Sequence, residues 1–194
     1  VTLIWALASC SSGVPAANTV VGPSKESVAM LNEAAMLSGS LKYKEARKLL
    51  QDKYDIIKDN DMALNTYGFM EFHIFNNYEK ADELLQRAIK LNPKNPKHYI
   101  GMGCVYEAKE EYKKAIKHYE KAVKNTTNYE NLPLNPEQAD LYTNIGNSYL
   151  KLNDRKKAVE ALEKASEKNP FNIEANAMLH KLYVEAGSYE KAYK

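Results

Sequence analysis

Hydrophobic and polar positions follow a helical period from residue 27 to the end of the chain. Apolar residues recur at i, i+3 and i+7 in one segment after another, which is typical of amphipathic helices. The pattern predicts an all-α chain built from pairs of helices. We expect the pairs at 27–40 with 43–58, 62–75 with 78–91, 96–109 with 112–125, 139–152 with 155–168, and 173–186 with 189 onward.

The second helix of each pair begins with nearly the same phrase. The copies are KYKEARKLL at 42, NYEKADELL at 77, EYKKAIKHY at 111 and DRKKAVEAL at 154, with a shorter SYEKAYK at 188. The alanines that they share are 35, 34, 43 and 34 residues apart: Ala46, Ala81, Ala115, Ala158 and Ala192. A period near 34 residues predicts a stack of repeated helix pairs.

The first helix of each pair also has a recurring spacing, seen in Tyr99, Met102, Gly103 and Tyr106 and again in Tyr142, Ile145, Gly146 and Tyr149. Together the two helices resemble the tetratricopeptide repeat. The resemblance covers residues 27–194 and implies an α-solenoid of about four and a half repeats. Their approximate ranges are 27–60, 61–95, 96–138, 139–172 and a truncated 173–194.

Small residues and prolines mark where the helices should approach and end. We expect Gly103 and Gly146 to face the alanines of the second helix, small residue against small residue. Proline lacks an N–H group and restrains the residue before it. We therefore expect the Asn-Pro pairs at Pro93, Pro136 and Pro170 to stop helices.

The first 26 residues have a different composition. VTLIWALAS is uncharged and almost wholly apolar, and a run rich in Ser, Gly and Pro follows Cys10. Leu7-Ala8-Ser9-Cys10 resembles the lipobox of bacterial lipoproteins, in which the cysteine is lipidated after cleavage. The resemblance implies a signal-peptide remnant at 1–9, a lipidated Cys10 with a tether at 10–26, and a bacterial envelope protein facing the periplasm, most simply at the outer membrane. The alternative is a buried apolar segment in which Cys10 is an inert small hydrophobic residue.

Charge and side-chain chemistry narrow the function classes. Lys and Arg number 27 against 25 for Asp and Glu, so the chain lacks the positive surplus that nucleic-acid binding needs. No catalytic motif is present, and His73, His98, His118 and His180 lack the spacing of metal ligands. We therefore predict a non-enzymatic protein with no cofactor, no metal and no small-molecule substrate.

The family resemblance implies a concave groove that binds a peptide or helix of a partner protein. The residues that face this groove are then Lys97, Ile100, Cys104, Glu107, Asp140, Thr143, Asn147, Leu150, Glu174, Ala177, Lys181 and Val184. If Gly68 sets the register of the irregular second repeat, that repeat adds Asn65, Phe69, Phe72 and His73. Phe69 and Phe72 either anchor the partner or fill the second repeat. Ile100 and Cys104 stand where the carboxylate-clamp members of the family have polar or basic residues, so that specificity is not expected.

These features together predict a lipid-anchored interaction scaffold. The insertion NTTNYENLPLN, combined with the lipobox, is similar to the small lipoproteins that pilot type IV pilus secretins. A role in assembling a pilus, secretion or envelope complex is the function that this similarity implies. The alternative is an adaptor or non-catalytic part of an envelope enzyme, such as a peptidoglycan hydrolase system.

Overall fold

The computed structural model describes residues 23–126 and 135–188, together with Ala192. Cys10 and the predicted signal-peptide and lipidation segment lie outside the described residues, as do residues 127–134 of the insertion. All regular elements in the described part are α-helices: α1 (Lys25–Gly39), α2 (Tyr43–Asp52), α3 (Tyr54–Ile57), α4 (Asp61–His73), α5 (Tyr78–Leu91), α6 (Pro96–Ala108), α7 (Tyr112–Asn125), α8 (Pro136–Lys151), α9 (Arg155–Lys168) and α10 (Ile173–Glu185).

The helices stack in chain order, each packing mainly on the helices before and after it. The first helices of the pairs, which we call A helices, are α1, α4, α6, α8 and α10. The B helices are α5, α7 and α9, with α2 and α3 together forming the B helix of the first repeat. The predicted all-α solenoid of antiparallel helix pairs is therefore confirmed.

Each described A helix begins at a polar residue that caps it. The side chains of Ser24, Asn60, Asn95, Asn135 and Asn172 accept a hydrogen bond from a backbone N–H of the first turn. Three of these asparagines also donate to the preceding A helix: Asn60 Nδ2 lies 3.0 Å from Ser27 Oγ, Asn95 Nδ2 lies 3.4 Å from Asp61 Oδ2, and Asn172 Nδ2 lies 3.1 Å from Asp140 Oδ1. One residue type thus starts a helix and joins it to the previous repeat.

Helices A and B of a repeat are joined by a turn that contains one left-handed residue. These residues are Leu41, Asn76, Glu110, Asn153 and Gly187, with φ between 51° and 70°. In the third repeat the N–H of Glu111 then donates to the carbonyl of Tyr106, five residues earlier. In the second repeat the equivalent bond runs six residues back, from Asn77 to Glu71. The extra residue of that repeat therefore lies in its turn.

Gly68, Gly103 and Gly146 each face a large side chain of the B helix in the same repeat. A Cβ built at Gly146 would lie 2.7 Å from Leu162 Cγ, and one at Gly68 would lie 2.9 Å from Leu85 Cγ. A Cβ at Gly103 would overlap the ring of Tyr119. The expected close approach to an alanine is found at Gly146, where a Cβ would lie 3.4 Å from the Ala158 carbonyl oxygen, whereas at Gly103 the large residue one turn after the alanine fills the space. The equivalent environments of Gly68 and Gly146 also show that Gly68 sets the register of the second repeat.

Two of the expected helix bounds are also corrected. The helix predicted over 43–58 breaks at Lys53, after which Ile57 is fully buried in the first core cluster. The helix predicted to begin at 139 begins at Pro136, whose missing N–H costs nothing in the first turn. Pro136 therefore starts a helix instead of stopping one, whereas Pro93 and Pro170 do follow the ends of α5 and α9.

A half-buried ion pair joins the first repeat to the second. Glu71 of α4 is fully buried, and its carboxylate accepts hydrogen bonds from Arg47 Nε at 2.7 Å and from the terminal nitrogen of the same guanidinium at 2.8 Å. This bidentate geometry compensates for removing the Glu71 carboxylate from water, while the Arg47 side chain stays partly exposed. In the part of the chain that the structure describes, no helix is both long and apolar enough to cross a membrane.

Candidate partner-binding groove

A shallow pocket lies between the A helices of the second and third repeats. Asn65, Thr66 and Phe69 of α4 and Lys97 and Ile100 of α6 line this groove pocket, whose volume is about 270 Å³. Phe69 and Ile100 form its apolar walls, while an amide, a hydroxyl and an exposed ammonium group surround them. Four of the residues that the sequence placed on the groove are therefore brought together.

Gly101 allows the two sides of the groove pocket to come close. A Cβ built there would lie 2.9 Å from Phe69 Cε2 and 2.9 Å from Leu85 Cδ2. The absence of a side chain at this position therefore lets the Phe69 ring lie against the backbone of α6. The pocket depends on a glycine that is distinct from the Gly103 of the repeat pattern.

Phe72 and His73 extend the aromatic end of the groove beyond the pocket. The His73 ring stacks on Phe69 with centroids 5.6 Å apart and meets Phe72 edge-on at 4.4 Å. Phe69 and Phe72 also pack on the buried cluster formed by Ala81, Leu85, Met102 and Val105. Phe69 thus lines the pocket and fills the second repeat at once, whereas Phe72 is not a pocket residue.

A hydrogen-bonded group in the middle of the groove joins α6, α7 and α8. The Glu107 carboxylate accepts from the Tyr119 hydroxyl at 2.8 Å and from Asn147 Nδ2 at 3.1 Å. The Tyr119 hydroxyl oxygen also lies 3.6 Å from Cys104 Sγ. Burial raises the pKa of the Cys104 thiol, so this cysteine stays protonated and is a poor nucleophile at neutral pH.

The remaining predicted groove residues lie outside the groove pocket. Thr143 is buried: its hydroxyl donates to the Ala139 carbonyl and accepts from Asn172, which also bonds Asp140. Leu150 is partly buried against the core cluster of α9 and α10. The α10 residues of the predicted groove are exposed: Glu174, Ala177, Lys181 and Val184.

Sequence reasoning missed two residues at the groove pocket. Thr66 lies one position outside the helical spacing used to choose groove residues, although it follows Asn65 directly. His98 lies next to Lys97 and is fully buried, with Nδ1 3.0 Å from Asn65 Oδ1 and Nε2 2.8 Å from Asp61 Oδ2. Only the packing of α6 on α4 shows that His98 is the partner of a pocket residue.

Comparison with known families gives matches over the middle of the chain. Models of the tetratricopeptide repeat match residues 96–168 and residues 70–95, which together include α5 to α9 and the groove pocket residues of α6. Among curated proteins, none matches this chain.

Solved structures with the same architecture cover most of the chain. MamA from Desulfovibrio magneticus RS-1 superposes with a TM-score of 0.72 at 20% identity, covering 89% of this chain and 92% of its own. PilF from Pseudomonas aeruginosa gives a TM-score of 0.73 at 17% identity, with 86% and 72% covered. The N-terminal domain of stress-induced protein-1 from C. elegans gives 0.57 at 22% identity, with 64% and 95% covered. At these sequence identities the structural similarity shows that this chain shares the fold of these proteins.

Proposed function

Because the chain belongs to the tetratricopeptide repeat family, we propose that it is a membrane-anchored, non-enzymatic scaffold whose groove binds a peptide or helix of a partner protein. The observation that carries the proposal is the groove pocket. Its apolar walls, Phe69 and Ile100, are bordered by Asn65, Thr66 and Lys97, which is the arrangement that receives an anchoring side chain. The volume of about 270 Å³ suits one large side chain better than a whole small-molecule ligand.

The test compares partner capture by variants of the full chain. Ile100→Ser removes one apolar wall, and Lys97→Glu reverses the charge of an exposed residue at the rim. Phe171→Ala is the matched control, because Phe171 is 84% exposed on the turn between α9 and α10, away from the pocket. Circular dichroism confirms that each variant is folded. Crosslinking and capture from envelope fractions should then lose the same partner with both pocket variants and retain it with the control.

Retention of every captured protein by the two folded pocket variants would contradict the proposed groove. The proposed groove would also be contradicted if the Phe171→Ala control lost the partner to the same degree as the pocket variants. In either case the surface that binds the partner would lie elsewhere on the array.

Membrane anchoring is the second part of the proposal and rests on Cys10 alone. A diacylglyceryl group and an amide-linked acyl chain supply two lipid chains, which is enough for stable anchoring without a spanning helix. The Ser-, Gly- and Pro-rich residues after Cys10 act as the tether. Radiolabelled palmitate should be incorporated by the full chain in a bacterial host and lost in Cys10→Ser. Labelling that survives this substitution would contradict the anchor.

The anchored array faces the periplasm in this proposal and docks its partner during assembly of a pilus, secretion or envelope complex. The insertion before α8 and the lipobox support this role, because small secretin-pilot lipoproteins have both. Co-purification of a secretin with the wild-type chain, and its loss with Ile100→Ser, is the expected result. Capture of a peptidoglycan hydrolase instead would favour the enzyme-adaptor alternative.

A further inference from the structure

His98 occupies a closed position between α6 and α4, directly behind the groove pocket. Its side chain is fully buried, and each ring nitrogen faces one polar group of α4. Nε2 lies 2.8 Å from the Asp61 carboxylate, and Nδ1 lies 3.0 Å from the amide oxygen of Asn65. The amides of Asn92 and Asn95, from the turn between α5 and α6, donate to the same Asp61 carboxylate.

The protonation state of the His98 ring is linked to the orientation of the Asn65 amide. A neutral imidazole carries one N–H and one lone pair, whereas an imidazolium donates from both nitrogens. With an amide oxygen and a carboxylate facing the ring, both nitrogens must donate, so this arrangement matches the charged form. A neutral ring that donates from Nε2 to Asp61 instead needs a donor at Nδ1. Asn65 supplies that donor when its amide group turns over, which exchanges its oxygen and nitrogen.

The charges around His98 determine which form prevails at neutral pH. Burial lowers the pKa of His98, and this outweighs the opposing effect of the Asp61 carboxylate. Burial raises the pKa of Asp61, but the hydrogen bonds from His98, Asn92 and Asn95 and the attraction to His98 lower it further than burial raises it. Asp61 is the charge that faces the ring from α4, and Lys97 of α6 is exposed at the pocket rim. The ring is therefore neutral at neutral pH, and it gains a proton only in acid.

The amide of Asn65 joins this ring to the groove. Asn65 lines the groove pocket and remains 6% exposed, and its hydrogen bond to His98 is the one polar contact that the described structure gives its side chain. Because either Oδ1 or Nδ2 of Asn65 faces the His98 ring, the other atom faces the groove pocket. The atom that turns toward His98 thus decides whether the pocket offers a donor or an acceptor.

We propose that His98 and Asn65 form a proton-controlled recognition pair, in which a neutral His98 leaves the Asn65 oxygen facing the groove and a protonated His98 leaves the NH₂ group. The part of this inference that concerns a partner rests on the proposed function. In the neutral form the pocket accepts a hydrogen bond, so it suits a backbone N–H of an extended peptide. In the acidic form it donates and suits a carbonyl oxygen instead.

The coupling can be measured without any partner. In the full chain labelled with ¹⁵N, long-range correlation spectra report the protonation and tautomer of each histidine ring, and the side-chain NH₂ signals of Asn65 report its environment. Between pH 8 and pH 4 we expect the Nε2–H tautomer of His98 at the neutral end. The Asn65 NH₂ signals should then shift with the same midpoint as the His98 ring.

Two substitutions show whether the coupling passes through the hydrogen bonds. Asp61→Asn removes the anion that favours the charged ring, so the midpoints of His98 and Asn65 should both move to lower pH, by about one unit or more. Asp52→Asn is the matched control, because Asp52 is exposed on α2, and it should leave both midpoints in place. His98→Gln assigns the ring signals and should abolish the Asn65 transition.

Three results would overturn the inference. They are an Nδ1–H tautomer at neutral pH, Asn65 signals that do not follow the His98 midpoint, and an Asp61→Asn variant in which the two midpoints separate. None of these measurements uses the groove partner. If the NMR experiment shows no coupling, the Ile100→Ser capture experiment still tests the proposed function. If the capture experiment fails, the coupling between His98 and Asn65 is still tested by NMR.

Discussion

Among the glycines that the structure describes, Gly103 has the least space for a side chain. An added Cβ would overlap the ring of Tyr119, which is fully buried. The Tyr119 hydroxyl is held by Glu107, and Glu107 is held in turn by Asn147. The ring cannot move aside without breaking the hydrogen-bonded group at the centre of the groove.

Gly103→Ala should therefore reduce the free energy of unfolding by about 1–3 kcal/mol, the usual cost of overpacking a core. Gly39→Ala is the matched control, because a Cβ at Gly39 would meet nothing within 4 Å. The control should be neutral or slightly stabilising, since alanine is the better helix former. Urea unfolding followed by circular dichroism gives both values. Equal stabilities of the two variants would show that Tyr119 has room to move.

His118 of α7 is a partly buried titratable residue. Its ring stacks on Tyr106 with centroids 5.2 Å apart, and its Nδ1 is buried without a hydrogen-bond partner. Burial, together with the positive charge of Lys121, lowers the pKa of His118 to about 4. The unfolded chain therefore binds a proton at a pH where the folded chain does not.

This difference makes the protein less stable in acid. The unfolded ring takes up its proton near pH 6.5, so the folded state loses stability as the pH falls from about 6.5 to about 4. His118→Phe keeps the ring stacking and should make the loss of stability in acid smaller. The loss that remains should include the contribution from protonation of His98. His73→Phe, at an exposed ring, is the control. Unfolding curves measured from pH 7 to pH 4 would contradict the assignment if the wild type and His118→Phe lost stability in parallel.

At the level of the element, the turns between A and B helices carry strain that the helices do not show. Leu41 and Glu110 adopt a left-handed backbone with φ near 60°, where the same turn elsewhere has Asn or Gly. Side chains with a Cβ crowd the following carbonyl in this conformation, at a cost of about 1–2 kcal/mol. Glycine has no such cost, but it loses more conformational entropy on folding.

Leu41→Gly should therefore raise the free energy of unfolding by about 0.5–1 kcal/mol, the net of the two effects. Leu41 is 74% exposed, so little buried surface is lost with its side chain. Asn153→Gly occupies the same place in the fourth repeat and should gain less, because asparagine tolerates the left-handed region. A lower thermal midpoint for Leu41→Gly than for the wild type would contradict the strain argument.

At the level of the whole molecule, the array is quasi-one-dimensional. Among the described helices, the main packing contacts lie within one repeat or between adjacent repeats. Stability is then a sum of repeat and interface contributions, so terminal repeats open more easily than central ones.

Amide hydrogen exchange should show this gradient. We expect faster exchange in α1 and α2 than in α6, α7 and α8. In the part of the chain that the structure describes, α1 and α2 pack on the second repeat, whereas α6 and α7 pack on both the second and the fourth. Protection from exchange should begin to rise between α2, which contains Arg47, and α4, which contains Glu71. Uniform exchange rates from α1 to α8 would instead indicate a single cooperative unit.

The helix pairs were predictable from the chain because their signals are local. An Asn or Ser before each A helix, the repeated alanine of each B helix and a period near 34 residues all act within one or two turns of backbone. The prediction failed where a local signal had two meanings. Pro136 fits the first turn of a helix as well as it fits a stop, and the residues around Lys53 continue the helical pattern through a real break.

The sequence by itself thus determined the repeat architecture and the approximate positions of its helices. Only the tertiary structure decided which A-helix residues reach the groove: Phe69 and Ile100 form a pocket, Thr143 turns into the core, and Asn65 is paired with His98. Helical spacing predicts the direction in which a side chain leaves its own helix. Whether that side chain is exposed in the groove depends on side chains of another helix, about 33 residues away. That second helix is positioned by glycines whose partners become evident only when the repeats are stacked.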